Sequence, residues 1–514
     1  MADAIQQHHC HDLLMLLRLP SLLLPVLMTL AASGVHAQTR DTGVLPDSIR
    51  QQLQQQGIPA QALSVVVMRA DNGQTVLQQQ ATQAVSPASS MKILTTLAGL
   101  EELGPVFRWK TQLLSTATPE KEVLNGDLYL RGGGDPSLSL EKWTSFLRRL
   151  RYSGIKTLRG DLVLDRSSFQ PEREDLQAPP FDEHPDAAYN VIPDALLLNH
   201  NLLQFAIESD GKRIQTRLQT PLANVVIRNN LKLNTAPCAS WEKSVTPPVA
   251  LNDDNGDIEI RLNGSFPKNC QVSTRLNLMD RNQYVAAIFA QIWRELGGVW
   301  RGQVREGKAP ADATLLLEHQ SETLADLLRT INKQSDNTMA RALLQTLGST
   351  TSGISGNTVS SRTAGDLRVR QWLTKHQLDE QGLVIDNGSG LSRTERISAR
   401  TLAGVLQAGW RSPWNAEFIS SLPIGGMDGT LRKRLKGTVA EGRARLKTGT
   451  LRNATALAGY VRDLQDTPWI VVAIVNDEQA AKARKALDQL ILWVVAGHPE
   501  QWQAPDEPAP ETQP

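Results

Sequence analysis

An α+β fold built from more than one packed unit is what the sequence predicts, and three observations predict it. The chain has 514 residues, more than a single hydrophobic core usually organises. Strand-like segments occur near both ends, at residues 63–68 and 75–77 and again at 445–461 and 469–475, where apolar and β-branched residues dominate. Between them, apolar residues recur at helical spacing, as in Leu140, Trp143, Phe146, Leu147 and Leu150, the stripe of a helix packed on one face.

Charge excludes one class of partner at the outset. Lys and Arg number 54 against 53 Asp and Glu, so no chain-wide field draws the protein to nucleic acid. At the N-terminus, Arg18 precedes an apolar run broken by Pro20 and Pro25 and ending in Val35-His36-Ala37 before Gln38. This reads as a signal peptide over residues 1–37, and its prolines and short length argue against a membrane span. Met15 offers an alternative start that would remove Cys10. The exported chain then keeps two cysteines, Cys238 and Cys270, which an oxidising compartment pairs as a disulfide.

Taken in order, residues 51–56 read as an exposed polar helix. Residues 63–68 and 75–77 flank Asp71-Asn72-Gly73, a hairpin signal. Residues 126–130 and 160–164 look like two related strands with the amphipathic helix between them. Arg131-Gly132-Gly133-Gly134 lacks the Gly-Lys-Ser/Thr ending of a phosphate loop and reads as a turn. Residues 171–270, rich in Pro and Asn with short strands, form a separate β module. Helical spacing returns at 284–296, 324–331 and 339–347, and residues 479–495 form a last helix. The segment 498–514 is acidic and proline-rich, a disordered tail, with no basic amphipathic helix after it to anchor it to a membrane.

The chemistry starts at Ser89 and Lys92. On a helix three positions share a face, so a hydroxyl and an amine meet at a helix start, where the backbone dipole favours developing negative charge. The spacing alone is common: Ser139/Lys142, Ser153/Lys156, Ser209/Lys212, Ser240/Lys243 and Ser265/Lys268 repeat it. His184, His200, His319, His376 and His498 lie in no recognisable catalytic motif, and neither Gly-x-Ser-x-Gly nor His-Glu-x-x-His occurs, which leaves lysine as the base for a serine nucleophile. No cofactor-binding or metal-ligand motif appears. Two more motifs follow in order. Ser335-Asp336-Asn337 sits between two helical runs, and Lys447-Thr448-Gly449-Thr450 opens a strand whose backbone can pair with an extended ligand.

Together these three motifs resemble the penicillin-recognising serine acyltransferases, and within them the class C low-molecular-mass penicillin-binding proteins, D-alanyl-D-alanine carboxypeptidases and endopeptidases. The narrower likeness rests on Pro87-Ala88-Ser89-Ser90-Met91-Lys92, on the long interval from Ser89 to Ser335, on Asn387-Gly388-Ser389-Gly390-Leu391-Ser392-Arg393, with Asn387 where Asp is often found, and on residues 422–431. The resemblance implies a β-lactamase/transpeptidase-like catalytic domain, an antiparallel sheet flanked by helices, with a nested insertion forming two smaller β-rich accessory domains. Its partition would be 38–104 for the first catalytic part, 105–170 for the accessory part, 171–270 for the inserted β-rich domain, 271–285 for the return and 286–497 for the second catalytic part.

The resemblance further implies the roles. Ser89 attacks the penultimate D-Ala carbonyl, and Lys92 is the base, its pKa lowered by burial and by the Lys447 charge. Ser335 and Asn337 relay a proton and hold the peptide. The N–H groups of Ser89 and Thr450 form the oxyanion hole, and Thr448, Gly449, Thr450 and Arg393 bind substrate. Substrates would be peptidoglycan stem peptides in the periplasm, with β-lactam antibiotics as covalent inhibitors; no cofactor or metal is implied, and association into a homo-oligomer is left open. The basic run Arg432-Lys433-Arg434, with Lys436, Arg443 and Arg445, fits either attraction to anionic wall polymer or a solvated loop edge. A β-lactamase, or a catalytically silent wall-binding module, are the rival readings; the long insertion argues against the first, and the intact Ser89, Lys92, Ser335 and Lys447 against the second.

Overall fold

Leu63–Arg69 (β1) and Thr75–Gln79 (β2) form the expected hairpin, and Asp71-Asn72-Gly73 closes it, with Arg69 paired to Asp71. The sheet they begin is finished by the far end of the chain: Ala444–Leu451 (β3), Ala454–Arg462 (β4) and Pro468–Asn476 (β5). The strand order is β2-β1-β5-β4-β3, antiparallel throughout. The computed structural model describes residues 43–252, 257–350 and 359–498. The signal segment 1–37 and the tail from 499 lie outside the described residues. Within them no helix is long and apolar enough to cross a membrane.

Alternation along the strands decides which residue goes to which core. Val66, Met68, Val472 and Ile474 face one way, onto the helices Lys92–Leu103 (α1), Leu324–Lys333 (α2), Asn337–Ser349 (α3) and Ala399–Arg411 (α4). Val65, Val67, Val471 and Ala473 face the other way, onto Arg484–Val495 (α5) and the helix Asp47–Gln55. That N-terminal helix is not the exposed one expected at 51–56. Ile49 and Leu53, one turn apart, are both buried, a two-residue stripe within a run of glutamines. His498, expected in the tail, instead lies against Trp469 and Trp493, with ring centroids 4.2 and 4.6 Å away. Burial there lowers its pKa.

The insertion has a sheet of its own, ordered Val304–Glu306, Leu162–Asp165, Leu128–Gly132, Lys110–Ser115, Thr314–Gln320. The two related strands pair in parallel, Leu128 beside Leu162, with the helix Leu140–Tyr152 crossing between them, a βαβ unit. Three smaller sheets accompany it. Beyond residue 286 the chain still packs against and pairs with these sheets. Arg281–Glu295 packs in the insertion's core through Tyr284, Ile288 and Phe289. Val304–Glu306 and Thr314–Gln320 then extend both edges of its main sheet. Ser321 comes next, and its hydroxyl accepts the Trp109 N–H at 3.0 Å. Gln271–Leu276, placed in the return, pairs with Leu203–Ser209 inside the insertion.

Cys238 and Cys270 are bonded, with Cα atoms 5.3 Å apart, and join the 3-10 turn Cys238–Ser244 to the end of Ile258–Pro267. Replacing both by serine is expected to destabilise the protein by about 4 kcal/mol in the loop-closure account. A thermal or denaturant midpoint indistinguishable from wild type would refute that contribution.

Candidate active site

Pro87 starts the turn that presents the serine. The Ser90 hydroxyl and N–H both donate to the Pro87 carbonyl, at 2.6 and 3.2 Å, and Ala88 takes φ +46°, a conformation that costs a non-glycine residue about 1–3 kcal/mol. Ser89 lies in the 3-10 turn Ala88–Met91, which runs into α1. Two glycines let other segments close on this turn. A side chain at Gly449 would meet the Pro87 carbonyl oxygen at 2.5 Å, and one at Gly390, with φ +80°, would meet the Ala88 carbonyl oxygen at 1.9 Å. The Lys-Thr-Gly strand and the 387–393 turn therefore both pack against the turn that carries Ser89.

Lys92 is fully buried. Its Nζ lies 3.1 Å from Ser89 Oγ and 2.6 Å from Asn337 Oδ1, and it also donates to the Ser389 carbonyl. Two of these neighbours can only accept. A neutral amine has two N–H bonds and one lone pair, so Asn337 Oδ1 and Ser389 O take the hydrogens and the lone pair faces the one group able to donate, the Ser89 hydroxyl. Burial brings the Lys92 pKa down to about 7; Asp336 and Glu395 oppose the fall and Arg341 adds to it. The expected help from Lys447 runs the other way: burial and then the Lys92 charge push Lys447 well below the usual lysine range.

The second motif joins two helices. Ser335 adopts φ +59°, Asp336 caps α3 by accepting the Met339 N–H at 2.8 Å, and Asn337 opens that helix toward Lys92. Fully buried Lys447, on edge strand β3, donates to Ser335 Oγ at 2.8 Å and to the Thr448 carbonyl at 2.9 Å. Ser89, Lys92 and Asn337 thus form one hydrogen-bonded group, and Ser335 with Lys447 a second, both opening on the same cleft. The other Ser-x-x-Lys pair in a helix start is ordinary: Ser139 caps its helix and Lys142 bonds Glu322.

The cleft in front of the cluster has a volume of about 840 Å³ and reaches Ser89, Ser335, Asn337, Thr450 and Arg393. Gly449 lies beneath the serine turn, and Thr448 shares a hydrogen bond of 2.8 Å with the Thr430 hydroxyl. Arg393 is exposed, stacked 4.9 Å from the Phe181 ring centre and bonded to the Phe181 carbonyl at 3.0 Å. Motif reading missed the wall opposite. Residues 181–191 of the insertion line the cleft through Phe181, Asp182 and Tyr189. The Tyr189 carbonyl accepts from Asn337 Nδ2 at 3.1 Å. Its phenol donates to Asp182 at 2.8 Å, and burial with that carboxylate pushes its pKa up to about 12. Nothing local in the sequence marks this segment; only the fold brings it to the site.

A serine within hydrogen-bond reach of a buried lysine, beside an edge strand that can hold an extended peptide, is an arrangement in which lysine can stand where histidine usually does in a serine hydrolase. Residues 45–495 match the D-Ala-D-Ala carboxypeptidase 3 (S13) family, and the chain belongs to it: it is a serine-type D-Ala-D-Ala carboxypeptidase, a low-molecular-mass class C penicillin-binding protein. It is 30% identical over 462 residues to a D-alanyl-D-alanine carboxypeptidase of Actinomadura sp. (strain R39), covering 86% of this chain and 82% of that one. Identity to the D-alanyl-D-alanine carboxypeptidase DacB of Haemophilus influenzae is 26% over 406 residues, 76% of this chain and 80% of the relative. The crystal structure of penicillin binding protein 4 from that organism shares the fold with a TM-score of 0.70 at 23% identity, over 86% of this chain and 99% of that one.

Proposed function

We propose that the protein removes the terminal D-Ala of peptidoglycan stem peptides, and opens D,D cross-links between them, through an acyl-enzyme on Ser89. The observation that carries this reading is the position of Lys92, whose hydrogens are taken by Asn337 and Ser389 and whose lone pair is left for Ser89. Lys92 accepts the hydroxyl proton as Ser89 Oγ bonds to the penultimate D-Ala carbonyl. The oxygen that becomes negative is held by the N–H groups of Ser89 and Thr450. Ser335, backed by Lys447, relays the proton that Lys92 took to the departing amine, and the C–N bond breaks. Water then attacks the ester, regenerating Ser89. Asn337, Thr448, Gly449 and Thr450 hold the peptide along β3, and Arg393 meets a substrate carboxylate at the cleft mouth.

β-Lactams enter the same path as acylating inhibitors, an expectation supported by the β-lactam complex of the Haemophilus penicillin binding protein 4. Export to the periplasm follows from the N-terminal segment and places the enzyme with its substrate. The partition into a catalytic part and a nested insertion, with the return at about residue 321, belongs to the same proposal.

The test uses the purified mature chain with a stem peptide ending in D-Ala-D-Ala and with cross-linked wall dimers. Release of one D-Ala from the first, and conversion of the second to monomers, are the expected results. Rapid turnover of penicillin with neither product would make it a β-lactamase instead.

A further inference from the structure

Behind Lys92 lies a carboxylate that the mechanism above does not use. Glu395 is 1% exposed. Its Oε1 accepts the backbone N–H groups of Asn387 at 2.9 Å, Gly388 at 2.6 Å and Asp386 at 3.3 Å, and its Oε2 accepts that of Gly390 at 2.7 Å. All four donors belong to one turn, which Gly388 and Gly390 bend through φ +72° and +80°. A second tie runs from the Thr95 hydroxyl of α1 to the Gly388 carbonyl, at 2.7 Å. The next carbonyl, that of Ser389, receives a hydrogen of Lys92. Asn387 is a neutral amide and the Asp386 carboxylate pairs outward with Arg362 at 2.7 Å, so the carboxylate that the turn's N–H groups enclose is that of Glu395.

We propose that Glu395 is a positioning residue for acylation: by gathering the N–H groups of residues 386–388 and 390 it fixes the Ser389 carbonyl, and through it the direction in which Lys92 offers its lone pair to Ser89. This rests on the reading of Lys92 as the base. Glu395 touches neither Lys92 nor substrate; it acts through the backbone and through its field. Four donors and no acceptor around it suit the ionised carboxylate, because a protonated one would have to place its hydrogen against an N–H. Burial, joined by the Asp386 carboxylate, holds the Glu395 carboxyl above the usual carboxylate range, and the N–H groups of Asn387, Gly388 and Gly390 oppose that rise. The charges facing Lys92 are Asp336 on the α3 cap, Glu395, Arg341 on α3 and Lys447 on β3. Of these, Asp336 and Glu395 favour the ammonium form.

The test is the rate of penicillin acylation, read as adduct mass over time, across a pH series. Glu395→Gln keeps the size of the side chain, removes its charge and turns an N–H₂ toward one of the four donors. Acylation should fall about 100-fold, the loss expected when a reacting group is displaced by an ångström or so. The acid limb of the profile should move to lower pH, because Lys92 loses a neighbouring negative charge. A wild-type rate, or a fall with the limb unmoved, overturns the proposal, since a merely structural residue would leave the limb in place. If Glu395→Gln does not fold, Glu395→Asp decides. It keeps the charge but shortens the reach, so the limb should stay and the rate should drop at least about tenfold; a wild-type rate overturns the proposal. A Lys92→Ala control acylated at the wild-type rate would instead refute Lys92 as the base, whatever Glu395 does.

Discussion

Ser89→Ala leaves no penicillin adduct and lowers D-Ala release by about 10⁶-fold, the scale of loss when a serine nucleophile is removed from a catalytic unit. The fold should survive. Ser89 is half-buried, its turn is closed by Ser90 and Pro87 rather than by its own hydroxyl, and Lys92 keeps its bonds to Asn337 and Ser389. Intact mass after penicillin treatment reads the outcome. An adduct persisting in the variant, mapped by digestion to Ser139, Ser153, Ser209, Ser240 or Ser265, would assign the nucleophile elsewhere.

Lys92→Ala costs acylation about 10²–10⁴-fold, the usual share of a general base, and takes with it the pH dependence that Lys92 supplies. In the wild type the rate should rise with pH through about 7, as the Lys92 ammonium gives up its proton and its lone pair becomes available. The stability effect has the same sign. Between that pH and the ordinary lysine range the unfolded chain holds a proton that the folded chain has released, so stability rises with pH across the window. Lys92→Ala should flatten both trends. A variant whose acylation profile keeps its acid limb near pH 7 would give that limb to another group.

How far the site could be read beforehand follows from where its information lies. Ser89, Lys92, Ser335, Asn337 and Lys447 sit in short motifs whose residue types are rare together, and each motif marks a local event: a turn into a helix, a helix junction, an edge strand. Glu395 and Tyr189 carry no such mark. Glu395 matters because the chain doubles back within nine positions and aims four N–H groups at it; Tyr189 matters because a distant insertion folds over the cleft. The return proposed near Ser321 was hidden for another reason. Helices Arg281–Glu295 and Leu324–Lys333 show the same 3.6-residue spacing, and spacing names a buried face without naming its partner. Ile49 and Leu53 show the opposite limit, a stripe too short to stand out from its polar surroundings.

The central sheet has a consequence for how the protein is made. Its first strand, β1, is flanked by β2 and β5, and Ser86 and Asn476, 390 positions apart, exchange bonds of 2.8 and 2.9 Å beside the nucleophile turn. Synthesis delivers the hairpin and Ser89 early and the last three strands at the very end. For most of that time β1 has an open edge, a template for wrong pairing, while the insertion, continuous in sequence, can close its own contacts. Pairings so distant in the chain are slow to form. Acylating power therefore arrives in one late step, when β5 slides in beside β1 and β3 carries Lys447 to Ser335. A chain released before residue 444 would contain Ser89 and Lys92 and still be inert.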